Sequence, residues 1–123
     1  LLFYNEEFMK SLIQLTFLFL FGQLCSQSIF ADENKIEHNL TIISLYQLEG
    51  DVHAGFDFFT SKKSHKCGGK MSNRYRSYSD HTVVAERKFQ LILTALNFNH
   101  KVSVKSLGCE GRSMLVDYIG VSH

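Results

Sequence analysis

Proline and tryptophan are missing from the 123 residues, cysteine occurs three times, and neither sign of charge is in excess. Thirteen Lys+Arg against twelve Asp+Glu leave a formal charge of +1, which removes any whole-chain electrostatic case for a polyanion-binding protein. A 20% charged fraction with 13% aromatics is unlike a disordered chain, and no repeat, linker or low-complexity tract divides the sequence into more than one domain. Catalytic signatures are missing too: there is no His-Glu-x-x-His, no paired-carboxylate motif and no serine in a nucleophile-elbow context. The composition therefore reads as a small binding protein, not an enzyme, with no cofactor.

The chain is not uniform along its length. Eight of the ten residues from 12 to 21 are apolar, and no charge falls between Lys10 and Asp32. That run is shorter than the ~20 residues a bilayer span needs, and Met9-Lys10 supplies a start with a positive flank, so 9–31 reads as a secretory signal peptide. The other reading, a buried core helix, is weakened by the lack of a polar face or caps. Cleavage after Ser28 or after Ala31 would suit a signal peptidase, and the polar Asp32-Glu33-Asn34-Lys35 favours the second. Cys25 lacks the small preceding residue expected of a lipidated cysteine, and residues 1–8 read as an over-extended gene start. Removing 1–31 takes away Glu6, Glu7 and Lys10, leaving 92 residues with 12 Lys+Arg against 10 Asp+Glu, a mildly basic domain with no membrane span.

A 92-residue domain has a modest core and commonly needs a covalent staple. The remainder keeps two cysteines, Cys67 and Cys109, and export takes them to an oxidising compartment, so a disulfide is expected. Closing that loop is worth roughly 4 kcal/mol in the chain-entropy model. A metal site built from His65, Cys67 and Cys109 is the alternative, disfavoured because no second close-spaced ligand pair exists.

Thr41 to Gln47 is rich in β-branched and aromatic residues, Glu49-Gly50-Asp51 breaks it, and in Val52 to Thr60 the residues Val52, Ala54, Phe56 and Phe58 share one face, which predicts a hairpin. Cys67 to Tyr78 reads as a third strand. From Asp80 the period changes: Val84, Ala85, Lys88, Phe89, Ile92, Leu93 and Leu96 recur at three- and four-residue steps, predicting a helix with Ser79 or Asp80 as N-cap and an end at Asn97–His100. Lys101 to Leu107 alternates as a half-buried strand, Gly108-Cys109-Glu110-Gly111 turns, and Ser113 to Val121 is the last strand. The order β-β-β-α-β-β is that of an OB-fold, a five-stranded Greek-key barrel with one helix between strands 3 and 4. An open α+β sheet would have the same order, whereas a ferredoxin-like fold would need a second helix.

Across residues 40–121, the run from Ala85 to Leu96, then Lys101-Val102-Ser103-Val104, Gly108-Cys109 and Leu115-Val116-Asp117-Tyr118-Ile119, resembles small secreted bacterial proteins with this plan. The layout is similar to the receptor-binding B subunits of A-B type toxins, of the subtilase-cytotoxin and typhoid-toxin kind. That resemblance implies an OB-fold, pentameric rings and binding of cell-surface glycans. No residue of a glycan pocket matches, so none is carried over.

Between Phe58 and Ser79 there is no acid, while Lys62, Lys63, Lys66, Lys70, Arg74 and Arg76 interleave with His65, Tyr75 and Tyr78. If 67–78 is a strand, Lys70, Arg74 and Arg76 project to one side with Tyr78 at the end, a basic face suited to a glycan or other acidic ligand. The plainer reading is a solvated edge strand kept from aggregating by its charges. Nucleic acid would use the same features, but export argues against it. The six histidines are scattered singly, and His53 and Asp57 stand about 13 Å apart at strand rise, too far for a direct acid–base pair. Asn39-Leu40-Thr41 matches a glycosylation acceptor. The sequence thus predicts a secreted or periplasmic, disulfide-stapled module that binds a glycan, with homo-oligomers as further partners. Its rival is a monomeric periplasmic structural or inhibitor protein that binds a protein.

Overall fold

The computed structural model describes residues 9–10, 34–49 and 54–123. From residue 34 onward these form five strands and one α-helix: β1 (Ile36–Leu48), β2 (Ala54–Thr60), β3 (Arg74–Ser79), α1 (Thr82–Phe98), β4 (Lys101–Glu110) and β5 (Ser113–Ser122). A 3-10 turn at Cys67–Gly69 precedes β3. The chain is mainly β, with the helix between the third and fourth strands as expected. The leader at 9–31 beyond Lys10, residues 1–8, and the hairpin tip with Val52 and His53 lie outside the described residues. Among the described residues no helix is long and apolar enough to cross a membrane.

The period-2 residues do what their parity demands. Phe56 and Phe58 of β2, Tyr75 of β3, Val102 and Val104 of β4, and Met114 and Val116 of β5 point into one core, joined by Leu40 and Ile42 of β1. Phe58 stacks on Tyr75 with centroids 5.2 Å apart, and Phe56 meets Phe89 of α1 edge-on at 5.6 Å. The helix buries Ala85, Ile92 and Ala95 and packs Phe89 and Leu96 against the same core. Val84, expected on this stripe, is exposed at its margin. The helix starts after His81, later than Ser79 or Asp80. It ends at Asn99 in the left-handed region (φ 54°), whose N–H returns to the Ala95 carbonyl, the terminus an asparagine favours.

Each strand pairs with two neighbours, so the order β1-β2-β3-β5-β4 returns to β1. All pairings are antiparallel except β3 with β5. β1 makes the return, because residues 42–48 pair with β2 and residues 36–41 pair with β4. Two register shifts bend it between those tasks, one with Asn39 at φ 59°, where asparagine is better tolerated than most residues. Its first half is polar and mostly exposed, which is why periodicity starts the strand only at Thr41.

Two further boundaries differ from expectation. Cys67 to Asn73 does not belong to β3: Gly68 and Gly69 sit at positive φ in succession (75° and 79°), which turns the chain instead of extending it, and the strand begins only at Arg74. Conversely, Gly108-Cys109-Glu110 stays in β4, with Gly108 at a register shift, and only Gly111 and Arg112 turn. Glycine inside a strand marks such a bulge as readily as it marks a turn. Cys67 and Cys109 form the expected disulfide, their Cα atoms 5.3 Å apart, and it ties the 3-10 turn to β4. With both sulfurs bonded to each other, the alternative metal site has lost its thiolates.

Candidate ligand-binding face

Alternation along β3 sends Tyr75 and Ser77 inward, so Arg74, Arg76 and Tyr78 emerge on the outer side of the sheet. Register then chooses their neighbours. Arg76 stands opposite Asp57, Arg74 opposite Phe59 and Tyr78 opposite Gly55, while Asp57 is flanked on its other side by Tyr46 of β1. Three strands thus carry a lattice of two guanidiniums, a carboxylate and three aromatic rings.

Asp57 is the hub. Arg76 grips it in a fork, Nε donating to Oδ1 at 2.6 Å and Nη2 to Oδ2 at 2.9 Å. Arg74 donates to Oδ2 through Nε (2.9 Å) and Nη2 (2.6 Å). Beneath these side chains Asp57 is only 3% exposed, although it points away from the core. Burial alone would push its carboxyl up, but hydrogen bonds and charge from Arg76 and Arg74 outweigh that and hold it below the usual carboxylate range. Arg76 Nη1 donates to Glu110 Oε1 at 2.8 Å, and the Tyr78 hydroxyl donates to the same oxygen at 2.6 Å. The hydroxyl bond, then Arg76, lowers the Glu110 pKa, and the Glu110 bond raises that of Tyr78. The Asp57 bond raises Arg76, already a permanent cation.

The rings are fixed by the same groups. Arg74 lies over Phe59 and Arg76 over Tyr78, each with its guanidinium carbon 5.9 Å from the ring centroid. Tyr46 and Phe59 meet at 5.7 Å and 84°.

Of the four residues singled out from sequence, Arg74, Arg76 and Tyr78 come together on this face. Lys70 is not on that strand: it follows the 3-10 turn and stands ahead of β3, which begins only at Arg74, so strand alternation does not align it with the arginines. Sequence reasoning missed Asp57 as the arginines' partner, and it missed Glu110, Phe59 and Tyr46. The one local hint was an acid inside Phe56-Asp57-Phe58-Phe59, whose parity puts it opposite the core.

A second polar group lies on the inner side of the loop before β3. The Tyr75 hydroxyl donates to Glu37 Oε2 at 2.6 Å and also bonds Ser64 Oγ. Burial, then Glu37, pushes the Tyr75 pKa up. His65 accepts the Cys67 N–H on Nδ1 (3.3 Å), which leaves its proton on Nε2 to donate to the Arg74 carbonyl at 2.8 Å. Both ring nitrogens therefore serve backbone groups. Elsewhere, a cleft of about 250 Å³ between the hairpin and the start of α1 is lined by Gln47, Phe56, Ala85, Glu86, Phe89 and Gln90 among others. No known protein family, curated protein or solved structure matches the chain.

Proposed function

We propose that the chain is an exported binding module of OB-fold type that takes a carbohydrate on the outer face of β1, β2 and β3. The observation that carries the reading is the lattice of Tyr46, Phe59 and Tyr78 with two guanidiniums and two carboxylates, presented on adjoining strands. Sugars are recognised by that mixture: a ring face for their C–H surface and fixed donors and acceptors for their hydroxyls. OB-folds use the face of strands 2 and 3 for oligosaccharides and oligonucleotides, and the closed strand order with a helix between β3 and β4 supports that fold. The Cys67–Cys109 disulfide supports a secreted or periplasmic destination.

The likeness to toxin B subunits extends this to a homo-oligomeric ring, which would multiply weak sites by avidity. The rival, a monomeric structural or inhibitor protein with a protein partner, draws support from the exposed side of α1, where Val83 and Leu91 flank Glu86, Arg87 and Gln90. A glycan array together with the native mass of the exported protein tests both. Binding to a carbohydrate that Tyr46→Ala and Tyr78→Ala abolish supports the first reading, and a monomer blank on the array removes it.

A further inference from the structure

We infer that the outer face of β1–β3 selects uncharged, hydroxyl-rich carbohydrates over acidic ones. The inference rests on the carbohydrate reading above and specifies its ligand class. In sequence, Arg74 and Arg76 look like the grip for a carboxylate or sulfate, since no acid falls between Phe58 and Ser79. In the fold they meet Asp57 and Glu110, and two positive charges face two negative ones.

Geometry matters more here than the charge count. A guanidinium binds an acidic group best through a bidentate edge, two parallel N–H groups matched to two oxygens. The Nε/Nη2 edge of Arg76 is on Asp57, and its Nη1 is on Glu110. The Nε/Nη2 edge of Arg74 is also on Asp57. An acidic ligand that took either Nε/Nη2 edge would have to displace Asp57, leaving a buried carboxylate short of partners, a loss that one new ion pair at a surface does not offset.

What the face still presents suits a neutral sugar. Glu110 receives both of its bonds on Oε1, so Oε2 of this 44% exposed side chain remains an acceptor for a hydroxyl and repels a ligand anion. Tyr46, 58% exposed, offers a ring beside half-buried Phe59. The Tyr78 ring is held by Arg76, by Glu110 and by its seat over Gly55, so little side-chain freedom is lost on stacking. The remaining positive charges of the basic stretch, Lys62, Lys63, Lys66 and Lys70, are exposed on the segment between β2 and β3 and belong to neither strand.

The test is an NMR titration of the disulfide-intact protein, read at the Arg74 and Arg76 Nε–H and the Tyr46 and Tyr78 ring signals. These report the face and not the lysine segment. The probes are lactose, cellobiose and chitobiose, with the sialylated and sulfated forms of lactose. At least one neutral sugar is expected to move the face signals, and the acidic forms to require at least about tenfold higher concentration, a difference of about 1.4 kcal/mol. Glu110→Gln, which removes the carboxylate from Arg76 Nη1, is expected to narrow that gap severalfold. An acidic sugar that moves the same signals at lower concentration than its neutral parent overturns the inference and leaves the carbohydrate reading standing. Silence from every sugar overturns the carbohydrate reading itself.

Discussion

Tyr78 packs over Gly55, the residue paired with it across β2 and β3: a Cβ on Gly55 would stand 2.7 Å from the ring Cδ1 and 3.0 Å from the Ser77 carbonyl oxygen. The ring tip could swing away, but the backbone oxygen cannot move without disturbing the ladder. Gly55→Ala is therefore expected to destabilise the fold by about 1–3 kcal/mol, as overpacked sites do, and to weaken ligand binding by displacing Tyr78. Urea denaturation of the variant beside Tyr78→Ala separates the two effects, since Tyr78→Ala removes the ring without setting a Cβ against the Ser77 carbonyl.

Asp57 holds two arginines while almost fully covered. Asp57→Ala removes the carboxylate the two arginines share, and about 2–4 kcal/mol of stability is expected to go with it, toward the lower end because Arg74 is partly solvated and Arg76 keeps Glu110. The pH dependence follows from the depressed carboxyl. Above the unfolded-state value of 3.8 the contribution is fully present, and it is lost as pH falls through the lower folded value. Acid titration of urea midpoints should show this component in the native protein and not in Asp57→Asn.

His65 works in the opposite chemical sense with the same direction in pH. Burial lowers its pKa, against the opposing pull of its bond to the Arg74 carbonyl and of Glu37. The unfolded chain then takes up the proton first, so stability is full above the ordinary value of 6.5 and declines as pH falls from there toward the folded value. Protonation also sets an Nδ1–H against the Cys67 N–H. The decline between pH 7.5 and pH 5 is expected to shrink in His65→Gln, whose amide can still donate toward the Arg74 carbonyl.

The disulfide joins residues 42 apart in sequence, and Cys67 is fully buried. Replacing both cysteines by alanine is expected to lower stability by about 2–5 kcal/mol. Thiol alkylation of material recovered from an oxidising compartment should find neither cysteine reactive.

Ser77 Oγ is buried in β3 with no hydrogen-bond partner among the described residues, and Ser106 Oγ in β4 is in the same condition. Removing an unpaired buried hydroxyl relieves a desolvation cost, so Ser77→Ala is expected to be neutral or to stabilise by up to about 1 kcal/mol. A lower melting temperature for that variant would mean the hydroxyl has a role in packing.

Local pattern was sufficient for much of this molecule. Side-chain parity in Phe56-Asp57-Phe58, the three- and four-residue steps from Ala85 to Leu96, the alternation of Lys101 to Lys105 and the pairing of two cysteines each depend on residues close in the chain or on a count. The elements that escaped it were those in which backbone geometry competes with side-chain pattern. The polar first half of β1 is a strand because β4 lies beside it, and Gly108 is a bulge because β5 holds the register.

The charge of the candidate site belongs to tertiary structure alone. From Phe58 to Ser79 the sequence is all cations and no acid, and by itself it determines only that Arg74, Arg76 and Tyr78 share a side of β3. Asp57 reaches Arg76 from 19 residues away through strand register, and Glu110 reaches it from 34 residues away through the return of β4 past the disulfide. Coulomb interaction acts on distance in space, and register, not spacing along the chain, sets that distance. A stretch that is basic as sequence is thereby folded into a balanced face.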